Sequence, residues 1–342
     1  MRYFCAMKSL KALLFGLLAV VATACGDSGR FSVQGTVEGG KSMNLRYVFY
    51  NGNAFAQGIT AVRDGRFSFE GATMQPAMME LYDNDYRLLG RLYVANGDEI
   101  ECTIDPSDPY MLRAAGNDAI ERWTRWQRDN ASALNAGRAD ALVEKYVGEH
   151  PADVVSTLLL TSLYDTSTPD GVRRADSLLS LIEADARPMN ITQSFIAQLD
   201  ANLHAADTRV RDFKARVLGK GPDTLRVADA ALSVYAFSTE HSLRKDSVVP
   251  LLRELHKRNG RRSVRVLDIS LDADTTAWRR ITRPDSADWT QAWLPGGIAA
   301  RGIDSLAVPS LPYFIVADST GRQLLRTPSA AALKHFVESL KQ

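Results

Sequence analysis

Two apolar runs, Leu232–Phe237 and Val264–Leu271, flank a basic amphipathic stretch from Leu243 to Arg258. Strands that are apolar on both faces belong inside a sheet covered on both sides, and a helix-length crossover between two of them makes them parallel neighbours. The C-terminal part of this chain is therefore α/β. Downstream, Asp272-Ala273-Asp274 and Trp278-Arg279-Arg280 open a helical stretch, and Trp289 and Trp293 fall in a loop. Val308-Pro309-Ser310-Leu311-Pro312 then leads into a strand, Tyr313–Ala317, a turn at Asp318–Gly321, a partner strand Gln323–Arg326 and a last helix.

The region 30–112 reads differently, as short alternating runs rich in β-branched and aromatic residues: Phe31–Val37, Met43–Tyr50, Gly58–Arg63, Arg66–Glu70, Met78–Tyr82, Leu92–Ala95 and Glu99–Ile104. Asp64-Gly65 between two of them is a strong hairpin signature, because both residues tolerate positive φ, and Asn96-Gly97 marks a second turn. With no helical period between the runs, the expectation is an antiparallel β-sandwich or small barrel. Gly35 to Ser42 matches the phosphate-loop pattern G-x-x-x-x-G-K-S, but that mechanism needs a helix to open after the loop. Met43–Tyr50 is a strand by composition, so nucleotide binding is not expected. Cys102 alternates with Ile100 and Ile104 and is expected on their buried face, as an inert thiol.

Between about 113 and 212 the period becomes helical, through Ile120–Gln127, Ala141–Val147, Pro151–Leu163, Gly171–Ala184 and Gln193–Ala205. Trp123 and Trp126 at i, i+3 read as core; an aromatic ligand platform is the alternative. The organisation expected is thus a leader at 1–24, a tether at 25–29, a β-rich domain at 30–112, a helical region at 113–212 and an α/β domain at 213–342.

Arg2, Lys8 and Lys11 followed by the apolar Ala12–Val21 form an export signal too short to span a bilayer, ending in Ala22-Thr23-Ala24-Cys25. Small residues before a cysteine resemble a bacterial lipobox, although Ala22 stands where Leu is more usual. Lipidation of Cys25 would attach the chain to a membrane of the bacterial cell envelope through several acyl chains. A plain secretory signal and a retained anchor are the alternatives. The 41 basic and 40 acidic residues balance, so bulk charge gives no reason to expect a nucleic-acid partner.

Taken together, the Ile269-Ser270-Leu271-Asp272 strand end followed by Trp278, the Leu311-Pro312 pair before a strand closed by Asp318 and Gly321, and the helix carrying Pro250 resemble the thioredoxin-like superfamily. They resemble especially the TlpA-like envelope lipoproteins, in which a β-rich domain of unknown function (DUF4369-type) precedes a thioredoxin-like domain. The resemblance implies thiol-disulfide exchange, with Pro312 as the family's cis-proline presenting backbone to an extended partner. The family's two cysteines would align near Glu240 or His241 and near Leu243 or Arg244. Ser238-Thr239-Glu240-His241-Ser242-Leu243-Arg244 contains no cysteine, and the chain's three cysteines are Cys5, Cys25 and Cys102. Since exchange needs an attacking and a resolving sulfur, the dithiol chemistry is not expected.

What remains at that loop is a candidate binding surface of His241, Arg244, Leu311 and Pro312, with a solvated helix cap as the plainer reading of the first two. Histidines 150, 204, 241, 256 and 335 show no metal-ligand spacing, and no cofactor is expected. Asp272 and Asp274 read as caps for the following helix, and Lys257, Arg258, Arg261 and Arg262 as a solvated helix end or a contact with anionic headgroups. The function expected is a lipid-anchored protein whose thioredoxin-like domain binds a peptide or envelope protein. A thiol-disulfide oxidoreductase and a structural or assembly component are the alternatives.

Overall fold

The computed structural model describes residues 29–40, 42–240, 242, 248–282, 287–301 and 303–340. The leader, Cys25, His241 and Arg244 lie outside the described residues. The chain divides into two compact units, Met1–Ser162 with Ile182–Gln193, and Leu163–Leu181 with Ser194–Gln342. The helical stretch 113–212 is shared between them.

The first unit contains β1 (Phe31–Val37), β2 (Met43–Tyr50), β3 (Phe55–Val62), β4 (Arg66–Gly71), β5 (Ala77–Tyr82), β6 (Leu88–Val94), β7 (Glu99–Ile104) and β8 (Arg113–Ala115). They form two four-stranded sheets, ordered β4-β1-β7-β8 and β3-β2-β5-β6. Phe31 of one sheet meets Phe49 of the other edge-to-face at 5.6 Å, both rings buried, so the two apolar faces are joined. The expectation of an all-antiparallel arrangement fails at one place, where β1 and β7 run parallel in the register Val33 opposite Ile100 and Val37 opposite Ile104. Alternation tells which face of a strand is buried but not which way a distant strand will run beside it.

Asp64 (φ 49°) and Gly65 (φ 74°) make the tight turn that their sequence announces. The strands it connects share the Arg63–Arg66 bridge and a bond from Thr60 Oγ1 to the Ser68 carbonyl at 3.0 Å, and belong to different sheets, so the turn is a corner of the unit. After Gly39 and Gly40 the chain enters β2 and not a helix, which removes the basis for a phosphate loop. Cys102 is buried opposite Gly35, where a Cβ would collide with the Cys102 carbonyl and the Phe67 ring.

The helices of this unit are α1 (Asp118–Asn135), α2 (Asp140–Glu149) and α3 (Val154–Leu163), the last ending at the unit boundary. Asn117 caps α1 by accepting from the Ile120 amide at 2.8 Å. Trp123 is fully buried, whereas Trp126 is half-buried and edge-on to Tyr146 at 6.2 Å, so the two indoles share no platform. Arg122 grips Asp153 with two hydrogen bonds of 2.9 and 3.0 Å, and Tyr146 donates to the same carboxylate.

The second unit adds α4 (Pro169–Leu181), the C-terminal part of α5 (Met189–Ala206), β9 (Phe213–Val217), β10 (Gly221–Leu225), β11 (Leu232–Ser238), α6 (Val249–Ser263), β12 (Val264–Ser270), α7 (Thr275–Thr282), β13 (Thr290–Trp293), β14 (Tyr313–Asp318), β15 (Gln323–Thr327) and α8 (Ala330–Ser339). Its seven-stranded sheet runs β10-β9-β13-β12-β11-β14-β15. The parallel β11–β12 pair with its helical crossover matches the sequence reading. Along β11, Tyr235 and Phe237 pack on one side, while Val234 and Ala236 meet Leu252 and Leu255 of α6 and Leu333 and Val337 of α8 on the other.

One sequence expectation is corrected in this unit, and one hairpin has no counterpart in the sequence reading. Trp293 does not lie in a loop but closes β13, a four-residue strand held parallel to β12. Four residues that include a buried glutamine are too short a run to announce a strand by periodicity. The β9–β10 hairpin likewise went unread, because Gly221-Pro222-Asp223 has turn composition and Pro222 is tolerated only on this sheet edge.

Burial pushes the Cys102 thiol from its ordinary value near 9 up to about 12. The unfolded chain therefore loses this proton at lower pH than the folded one, and stability is lost as pH rises from 9 toward 12, by at most roughly 1.4 kcal/mol per pH unit. Urea titrations of wild type and Cys102→Ala across that window should give a shallower slope for the variant; equal slopes would contradict the buried assignment.

Candidate functional site

The carboxyl ends of β11 and β12 carry the loops in question. Ser238 closes β11, and its carbonyl accepts from the Leu271 amide at 2.9 Å just beyond β12. Thr239 and Ser242 close a small turn, with the Thr239 amide donating to Ser242 Oγ at 2.9 Å and that hydroxyl returning to the Thr239 carbonyl at 2.8 Å. The described part of this loop is thus built from serine, threonine and glutamate.

Asp272 is the anchor of this region. It is buried, accepts from the Glu240 amide at 2.9 Å on one oxygen and from Ser270 Oγ at 2.7 Å on the other. Its own carbonyl accepts from Trp293 Nε1 at 2.9 Å, which ties β13 into the same cluster. A charged acceptor on a backbone amide is among the stronger hydrogen bonds available inside a protein. The expectation that both aspartates cap the following helix holds only for Asp274, which accepts from the amides of Thr276 at 2.6 Å and Ala277 at 3.1 Å. Those backbone donors hold the Asp274 carboxyl below its usual range. Asp272 instead fastens the β11 loop to the β12 loop, and Arg280 of α7 reaches Glu240 at 3.2 Å from the same side.

Opposite this loop stands the Leu311–Pro312 peptide, which is cis. Phe237 pairs with Tyr313 in the antiparallel β11–β14 ladder, so the two strands run on into Ser238 and Pro312 at adjoining ends. Leu311 is half-buried against the core of its unit. The structure thereby brings Pro312 and Leu311 to the end of the sheet where Ser238–Glu240 emerge. Of the residues read as a binding surface, His241 and Arg244 are not among those described.

A further residue was missed from sequence. Arg326 of β15 is buried, with its guanidinium over the Tyr313 ring at 5.6 Å, Nη1 donating to Gln323 Oε1 at 2.7 Å and Nη2 to the Ala307 carbonyl at 3.2 Å. Burial first of all disfavours its charge and holds its pKa below the ordinary value. Its partners are neutral, and they tie the start of the loop Ala307–Pro312 to β15. The available signal was an arginine in a run otherwise expected to be an apolar strand.

Among the described residues the one cysteine, Cys102, is not part of this loop. Cys102 belongs to the first unit and lies 6% exposed on the inner face of β7. Among the described residues no group of three or more His, Cys, Asp or Glu side chains is placed to hold a metal ion. No helix among them is long and apolar enough to cross a membrane.

Asp272→Ala strands the Glu240 amide and the Ser270 hydroxyl, and should cost about 1–3 kcal/mol with faster hydrogen exchange at Glu240. Asp272→Asn keeps an acceptor and should lose less. Exchange at Glu240 that is unchanged in Asp272→Ala would remove the anchoring role.

No protein-family model matches the chain, and no curated protein matches it. Among solved structures it is similar to a thiol-disulfide oxidoreductase from Bacteroides fragilis NCTC 9343, at 20% identity over 39% of this chain and 99% of that one, with a TM-score of 0.35. It is also similar to the thioredoxin domain of a thiol-disulfide oxidoreductase from Bacteroides vulgatus, at 16% identity over 39% and 95%, TM-score 0.34. A thioredoxin-like protein from Bacteroides caccae ATCC 43185 matches at 15% identity over 64% of this chain and 83% of that one, TM-score 0.39. The C-terminal unit is defined by its own strand order and register.

Proposed function

We propose that this chain is a lipid-anchored protein of the bacterial cell envelope whose C-terminal α/β unit binds an extended peptide or a protein partner and does not exchange disulfides. One observation carries the reading. The loop that would need two cysteines presents Ser238, Thr239 and Glu240, locked by the Asp272 carboxylate, beside an intact Leu311–Pro312 strand entry. A scaffold that retains the backbone surface for an extended partner while lacking the nucleophile is suited to holding a chain, not to reducing it. The anchor rests on the Ala22-Thr23-Ala24-Cys25 sequence, and Cys25→Ser should move the protein from the membrane fraction to the soluble fraction of cells. Unchanged membrane partition of that variant would defeat the lipoprotein reading.

Insulin reduction separates binding from catalysis. Wild type and Cys102→Ser are both expected to reduce insulin no faster than buffer, and Cys102-independent turnover would establish an oxidoreductase. A photo-crosslinking side chain placed at Leu311 should give discrete protein adducts in cells, identified by mass spectrometry. Their absence at position 311, with adducts obtained from an exposed control position, would favour a purely structural domain over a binding one.

A further inference from the structure

The outer face of the β4-β1-β7-β8 sheet carries a charge arrangement that the C-terminal reading does not use. Strand residues in direct register share a face, and one row across the four strands reads Arg66, Thr36, Thr103, Arg113. The two threonine hydroxyls lie 3.4 Å apart at its centre. The adjoining row reads Ser68, Gln34, Glu101, Ala115, in which Gln34 Nε2 donates to Glu101 Oε1 at 2.9 Å. Arg128 of α1 joins them with Nη1 on the Leu112 carbonyl at 3.2 Å. Together these side chains line an open cavity of about 570 Å³.

Neighbouring strands are about 4.8 Å apart, which sets the ends of the Arg-Thr-Thr-Arg row roughly 14 Å apart, a span that two arginine side chains can close over the central hydroxyls. The cavity is lined by three arginines, Arg66, Arg113 and Arg128, against one acidic residue, Glu101. Neither Arg66 nor Arg128 has a carboxylate at ion-pair distance among the described residues, and Arg113 has only the exposed Glu38 at 3.6 Å. An exposed pair of that kind contributes little and is readily exchanged. Burial, then the charge of Arg113, lowers the Arg128 pKa, so an added anion would relieve a crowding of like charge.

We propose that this row is a binding site for a tetrahedral oxyanion, a phosphate or sulfate carried on a small hydroxylated molecule. The anionic oxygens meet the guanidinium forks and the Thr36 and Thr103 hydroxyls, while the Gln34–Glu101 pair takes the hydroxyls of the carrier. Two sources share this chemistry, a free phosphorylated sugar and a phospholipid headgroup.

The test is calorimetric titration of the full chain in non-ionic detergent with glucose 6-phosphate, monomeric dihexanoyl phosphatidylglycerol and unphosphorylated glucose, each repeated in the presence of sodium sulfate. Saturable binding of either phosphorylated probe, competed by sulfate and absent with glucose, is expected, and the probe that binds more tightly identifies the source. The double variant Arg66→Gln, Arg113→Gln should bind at least roughly tenfold more weakly with an unchanged melting point in chloride, since both side chains are exposed. Thr103→Val gives a second, uncharged variant with the same expected direction. No saturable response to either phosphorylated probe, or binding by the folded variants equal to wild type, would overturn the proposal.

Discussion

The Asp272 carboxylate holds the C-terminal unit's working end together. Two oxygens of one side chain bind the β11 loop through the Glu240 amide and the end of β12 through Ser270, and the adjacent carbonyl secures β13 through Trp293. A buried carboxylate is tolerated here because each of its oxygens accepts a hydrogen bond. The consequence is that the backbone at Thr239 and Glu240 is held by hydrogen bonds.

Much of this architecture was legible in the chain. The apolar runs Leu232–Phe237 and Val264–Leu271 gave a parallel pair because nothing else buries both faces of two consecutive strands, and Asp64-Gly65 gave its turn because the required φ values are steric facts about those residues. Direction between distant strands was not legible. The β1–β7 pair is parallel through contacts that form only once the second sheet has returned the chain to β1, and no local pattern encodes that return. Short elements such as β13 fail for a different reason, since a buried Gln291 inside four residues breaks the alternation by which strands are read.

The site was half legible. Pro312 is singled out only by its resemblance to the cis-proline of thioredoxin-like proteins, and the missing cysteines are a matter of counting. Asp272 was read as a cap because acidic residues after a strand usually precede a helix, and Asp274 two positions later fills that role. Arg326 offered only the signal of an arginine in an apolar strand, because its role lies in its partners: Ala307 and Tyr313 upstream and Gln323 three residues before.

Arg326 and the arginine row of the first unit show how one residue type is put to opposite uses. Inside the sheet, at 3% exposure, the guanidinium is committed to a carbonyl, an amide and an aromatic face, and moving it would strand the Ala307–Pro312 loop. On the outer face of β4-β1-β7-β8, Arg66 and Arg113 are exposed, their forks largely uncommitted, and a hydroxyl pair lies between them. A committed donor fixes geometry; an uncommitted one seeks a ligand. The distribution of free donors therefore gives the β-rich unit a recognition chemistry of its own, independent of whether the loop after Ser238 ever meets a partner.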